Sequence, residues 1–112
     1  MIILVLSLWE VFAVNINETS NGDQITLAVI GRVDTTTAPD LQTSITNAFE
    51  KSADLVIDFS EVEYISSAGL RALLFGQKTA QSKNGSMVVT NVTDAVKEVL
   101  DITGFSNILT IQ

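Results

Sequence analysis

Two adjacent serines, Ser66 and Ser67, stand near the end of the segment Asp58 to Arg71, DFSEVEYISSAGLR, immediately before Ala-Gly-Leu. A hydroxyl at such a helix start can accept a hydrogen bond from a free backbone N–H, or it can accept a phosphoryl group. Other reactive chemistry is scarce. The chain has no cysteine and no histidine, so thiolate nucleophiles, Cys-ligated zinc, disulfides and the usual general base near neutral pH are all missing. Asp58, Glu61 and Glu63 put three carboxylates ahead of the serines, but without the Gly-centred spacing of a calcium loop they read as a solvated face. A Gly-rich phosphate loop with its lysine is also missing. We therefore expect no enzyme, no metal and no cofactor.

The chain has 112 residues, 46% of them hydrophobic, enough for one compact core and too few for two ordinary domains. Thirteen acidic against six basic residues give a net charge of −7, which repels phosphate backbones and anionic membranes alike. Direct nucleic-acid or membrane binding is not expected. The opening residues, MIILVLSLWEVFAV, are strongly apolar, yet no basic residue precedes Arg32 and Glu10 interrupts the run. A signal peptide or a membrane span needs a different pattern. We expect a cytoplasmic protein with an apolar extension over residues 1–11 and a domain over 12–112. The extension is an extra strand or helix laid over the core, a self-association surface through residues 1–14, or the product of a wrong start site.

Elements that would position the serines can be read along the chain. A short alternating stretch over Phe12 to Asn17, a turn-rich Glu18 to Asp23 with Asn21-Gly22 as its hairpin turn, and a strand over Gln24 to Gly31 come first. Thr35 to Asp40 carries helix-start chemistry, with hydroxyls, Pro39 and an acidic residue. Ala38, Leu41, Ile45, Ala48 and Phe49 follow at helical spacing. Leu55 to Phe59 reads as a central strand covered on both sides, Ser60 to Ile65 as a loop, and Ser67 to Lys83 as a helix with Leu70, Leu73 and Leu74 inward. Met87 to Thr90 is a strand, a helix through Val96 and Leu100 stops at Gly104, and Ile108 to Ile111 is a last strand. Alternating strands and helices predict an α/β fold, a mixed, mainly parallel sheet of about 4–5 strands with about four helices packed on it.

The segment Asp58 to Arg71 resembles the signature of the STAS domain, in particular that of stand-alone bacterial anti-sigma factor antagonists. Gly31-Arg32-Val33-Asp34 with the threonines after it, Gly85 to Val89, and Val96 to Phe105 extend the resemblance. It implies a partner-switching cycle. The unmodified protein binds an anti-sigma factor that is also a serine kinase and so frees a sigma factor; phosphorylation breaks that complex, and a metal-dependent serine phosphatase restores it. By resemblance the phosphoacceptor is Ser67, less favourably Ser66, which stands where sporulation-type members carry aspartate. Asp34, Ser66, Ser67, Gly69 and Leu70 make up the implied partner-binding set, with Gly69 admitting a close backbone and Leu70 anchoring the helix. Two alternatives keep the fold and change its use. One is a small-ligand or nucleotide-binding module, and the other is a self-assembling scaffold in which Ser67 is a silent cap.

Overall fold

The computed structural model describes residues 14–112. The apolar extension over residues 1–11 and the strand start at Phe12 lie outside the described residues. So does all but the last residue of the self-association surface over 1–14.

Strands β1 (Asn15–Asn21) and β2 (Gln24–Val33) form an antiparallel hairpin in which Asn21 pairs with Gln24. The two-residue turn is thus Gly22-Asp23, and Gly22 supplies its positive φ of 64°. Helix α1 (Ala38–Lys51), β3 (Asp54–Ile65), α2 (Ser67–Ser82), β4 (Ser86–Thr90), α3 (Asp94–Thr103), a 3₁₀ turn (Phe105–Asn107) and β5 (Thr110–Ile111) follow. The sheet order is β1-β2-β3-β4-β5, with β2 to β5 parallel. Each helix joins two neighbouring parallel strands and every step moves the same way across the sheet. Right-handed crossovers therefore put α1, α2 and α3 on one face.

That face is the core. Ile25, Leu27 and Val29 of β2, Leu55, Ile57 and Phe59 of β3, and Met87 and Val89 of β4 are buried. They meet Leu41, Ile45, Ala48 and Phe49 of α1, Leu70, Leu73 and Ala80 of α2, and Val96 and Leu100 of α3. Burying each large aliphatic chain contributes about 1.5–3 kcal/mol, and the apolar stripes at helical spacing exist to do this.

Several sequence expectations change. Three α-helices and a 3₁₀ turn stand among the described residues, against the about four helices expected. Glu18 to Asn21 is strand: among the described residues β1 is an edge with both faces largely solvated, so ladder bonds to β2 override its polar composition. Ser60 to Ile65 is also strand. β3 continues past Phe59 by slipping register, with Ile30 opposite Glu61 and Arg32 opposite Tyr64, and Gly31 at φ 117° lies in the slipped stretch. Finally, β3 is covered on one face only by the described residues, since Val56 and Asp58 alternate with the buried row and stay half-exposed.

Candidate partner-binding and modification site

Two loops at the carboxyl ends of β2 and β3 build the site. They are held together where the Ser66 N–H donates to the Val33 carbonyl at 2.8 Å, one step beyond the Val33–Ile65 pair. Ser66 has extended backbone, and its Oγ accepts from the Gly69 N–H at 3.3 Å, while its carbonyl accepts the first helical bond, from Leu70 at 2.9 Å. Ser66 is therefore the helix cap. Ser67 is the first residue of α2. Its side chain is exposed, and among the described residues its hydroxyl makes no hydrogen bond. The reading of Ser67 as a silent cap does not fit this geometry, because the capping oxygen belongs to its neighbour.

Gly69 and Leu70 point inward. A Cβ on Gly69 would lie 2.7 Å from Cγ1 of both Val33 and Ile65, so the missing side chain lets α2 seat closely on its own sheet. Leu70, 5% exposed, anchors the same turn. Both residues shape the site from beneath.

Asp34 sits on the neighbouring loop as the centre of a turn. Its Oδ1 accepts from the Thr36 hydroxyl at 2.8 Å, the Thr36 N–H at 3.0 Å and the Thr37 N–H at 3.1 Å. These bonds, the Thr36 hydroxyl foremost, together outweigh the desolvation cost and hold the carboxyl below the ordinary carboxylate range. Thr37, almost fully buried, receives the Asp34 N–H on its hydroxyl and donates that hydroxyl to the Arg32 carbonyl at 2.6 Å. Thr37 thus occupies the cap position of α1 without making a side-chain cap bond; the Asp34 carboxylate takes the Thr36 and Thr37 N–H groups just ahead of the helix, and the Asp34 carbonyl takes the Ala38 N–H at 2.8 Å.

Three side chains complete the site that the linear pattern does not reveal. Arg32 lies 3.8 Å from the Asp34 carboxylate and has its guanidinium carbon 4.2 Å above the Tyr64 ring, an arrangement produced by the slipped register. Arg71, one turn after Ser67, is exposed and forms no ion pair among the described residues. With Thr35, Pro39, Gln42, Thr43 and Ala68 it lines an open groove of about 550 Å³ between α1 and α2. The first turn of α2 carries no acidic residue, so negative charge added at Ser67 meets the free N–H groups and the positive end of the helix dipole, with Arg71 within an i,i+4 reach. Asp58, Glu61 and Glu63 do not converge: among the described residues no cluster of three such groups is placed to hold a metal ion. No helix among them is long and apolar enough to cross a membrane.

A five-stranded mixed sheet carrying its helices on one face, with a capped serine pair at the end of the central strand, defines the class. The STAS domain family profile matches residues 15–112, and the chain belongs to that family. The anti-sigma-B factor antagonist of Bacillus subtilis (strain 168) is 29% identical over 99 residues, covering 88% of this chain and 91% of the relative. An anti-sigma factor antagonist from Mycobacterium paratuberculosis superposes with a TM-score of 0.78 at 24% identity, over 88% of this chain and 84% of the other. SpoIIAA in its phosphorylated form gives 0.68 at 12% identity, over 88% and 91%; these two structures share the fold.

Proposed function

We propose that this chain is an anti-sigma factor antagonist whose grip on its partner is switched by phosphorylation of Ser67. The observation that carries the reading is the division of labour between the two serines: Ser66 spends its oxygen on the Gly69 N–H, and Ser67 presents an unbonded hydroxyl to solvent. The relatedness to named anti-sigma factor antagonists supports the same reading. In the unmodified state the Asp34 turn and the start of α2 form one surface against which an anti-sigma factor docks, releasing its sigma factor.

That anti-sigma factor is itself the serine kinase. The Ser67 hydroxyl oxygen bonds to the γ-phosphorus of ATP, the bond to ADP breaks, and the hydroxyl proton is lost. The added charge of about −1.5 to −2 is tolerated by the helix terminus but not by a desolvated interface, so the complex separates without unfolding. A metal-dependent phosphatase hydrolyses the ester and resets the cycle. A requirement for ATP supports a cytoplasmic setting for these events. The chain is substrate and binding partner in turn, and catalyses nothing.

The test is intact-mass analysis and phosphosite mapping after incubation with a cognate anti-sigma kinase and ATP, for the wild type, Ser67→Ala and Ser66→Ala. One phosphate, lost only in Ser67→Ala, is the expected result. No phosphate in any sample with an active kinase would sink the proposal, and a nucleotide titration on the same samples would then separate a ligand-binding module from a scaffold.

A further inference from the structure

The six cations of the chain divide into two groups. Arg32, Lys51 and Lys97 stand against the carboxylates of Asp34, Glu18 and Asp101. Arg71, Lys78 and Lys83 form no ion pair among the described residues, although acidic residues outnumber basic ones by 13 to 6. Arg71 is the one cation that lines the open groove of about 550 Å³ between α1 and α2, and no carboxylate lines it. Asp40 and Glu50, the acidic residues of α1, are exposed but are not part of that lining. Thr35, Gln42, Thr43 and Asn47 add exposed hydroxyl and amide donors, and their side chains make no hydrogen bond among the described residues. The groove also runs into the surface proposed above for the partner: Thr35 follows Asp34 in the chain, Ala68 follows Ser67, and both line it.

We propose that this groove seats an aspartate or glutamate side chain of the anti-sigma factor, held by Arg71, and that phosphorylation of Ser67 withdraws Arg71 from it. The inference rests on the partner-switching reading of Ser67 and names the partner's chemistry there. A carboxylate matches the guanidinium fork with two parallel hydrogen bonds. A side chain carried on a partner's surface suits an open groove, whereas a free small ligand is held by a site that encloses most of its surface. Ser67 and Arg71 are four residues apart on α2 and share one side of it. A phosphate ester on Ser67 carries more charge than a carboxylate and is tethered to the same helix as Arg71, so it takes the guanidinium. The partner's carboxylate is then left in the interface without its counter-charge, which adds to the repulsion between the two anions and speeds dissociation.

Titration calorimetry of the full chain against the cognate anti-sigma factor, in ADP so that no phosphate is transferred, tests the groove. Arg71→Gln should weaken the complex roughly 30-fold and flatten its dependence on salt. Lys83→Gln, which removes the same charge at the far end of α2, should change affinity by less than about twofold. Circular dichroism monitors folding. Arg71→Lys puts an amine at that position, which a carbodiimide joins to a carboxylate in contact; peptide mapping should find position 71 linked to an aspartate or glutamate of the partner, and Lys83 not. Phosphorylation should weaken the wild-type complex by a larger factor than the Arg71→Gln complex, which has no guanidinium left to lose; equal factors would overturn the withdrawal of Arg71. If Ser67 is phosphorylated and the complex breaks, yet Arg71→Gln binds as tightly as the wild type, the phosphoswitch stands and the groove proposal falls. Binding of inorganic phosphate by the protein alone, lost in Arg71→Gln, would then make the groove a small-anion site. If Ser67 takes no phosphate while Arg71→Gln weakens the complex and position 71 cross-links, the groove stands and the phosphoswitch falls.

Discussion

Ser66 and Ser67 are adjacent, chemically identical and energetically unequal. Ser66→Ala deletes the acceptor for the Gly69 N–H and should cost about 1 kcal/mol of unfolding free energy, whereas Ser67→Ala removes an exposed, unbonded hydroxyl and should change stability by less than about 0.5 kcal/mol. Urea unfolding of the two variants checks this, and a larger loss at Ser67 would contradict the assignment of the cap. Asp34 offers a second test at this scale. Its folded pKa lies below the ordinary value of 3.8, so near and below that value the unfolded chain binds the proton more readily. The stability it contributes is fully present above that ordinary value and is lost as pH falls through the lower folded one. Unfolding free energy should therefore decline in acid, and Asp34→Asn should remove part of that decline; equal pH slopes for both proteins would refute the role given to the turn.

At the scale of elements, α2 is held close to the sheet by residues that lack side chains. Gly69→Ala would set a methyl 2.7 Å from Val33 and Ile65, and lifting the helix to relieve it should cost about 1–3 kcal/mol while moving Ser67 relative to the Asp34 loop. The variant should lose partner affinity beyond what its lower melting temperature explains, measured by titration calorimetry well below that temperature. Gly85→Ala, where the methyl would lie 2.0 Å from the Ala53 carbonyl oxygen, meets rigid backbone and should be the harsher of the two. The start of α2 also predicts what modification does to the domain itself. Phosphate on Ser67 faces a helix N-terminus free of carboxylates, with Arg71 one turn on, so the phosphorylated domain should melt no lower than the unmodified one. Arg71→Ala should lower the melting temperature of the phosphorylated form more than that of the unmodified form. Equal shifts would remove Arg71 from the account.

Over the whole molecule, protection should follow the sheet order. β3 is flanked on both sides and carries Leu55, Ile57 and Phe59 in the core, whereas among the described residues β1 is an exposed edge and β5 is two residues long. Native-state hydrogen exchange should be slowest in the first half of β3 and faster in β1 and β5; uniform protection would point to a cover over β1 beyond the ladder it shares with β2.

Much of this was legible in the chain itself. Periodicity found all three helices, because an apolar stripe at helical spacing has few other uses, and Gly104 was recognisable as a stop because it alone adopts φ 82° there without strain. The segment before α2 pointed to the serines through its resemblance to a family signature. What only the tertiary structure decided concerns partners distant in sequence. Polar Glu18 to Asn21 became strand because β2 supplied ladder bonds, and Ser60 to Ile65 did so through a slipped register that no local pattern encodes. The same slip brings Tyr64 beneath Arg32. Which serine caps the helix depended on where the strand ended, within one residue, and the need for a glycine at position 69 depended on how closely α2 approached the sheet. Composition and periodicity act along the chain and set which elements form; register, face and closeness of approach are relations between elements, fixed only when their side chains compete for the same space.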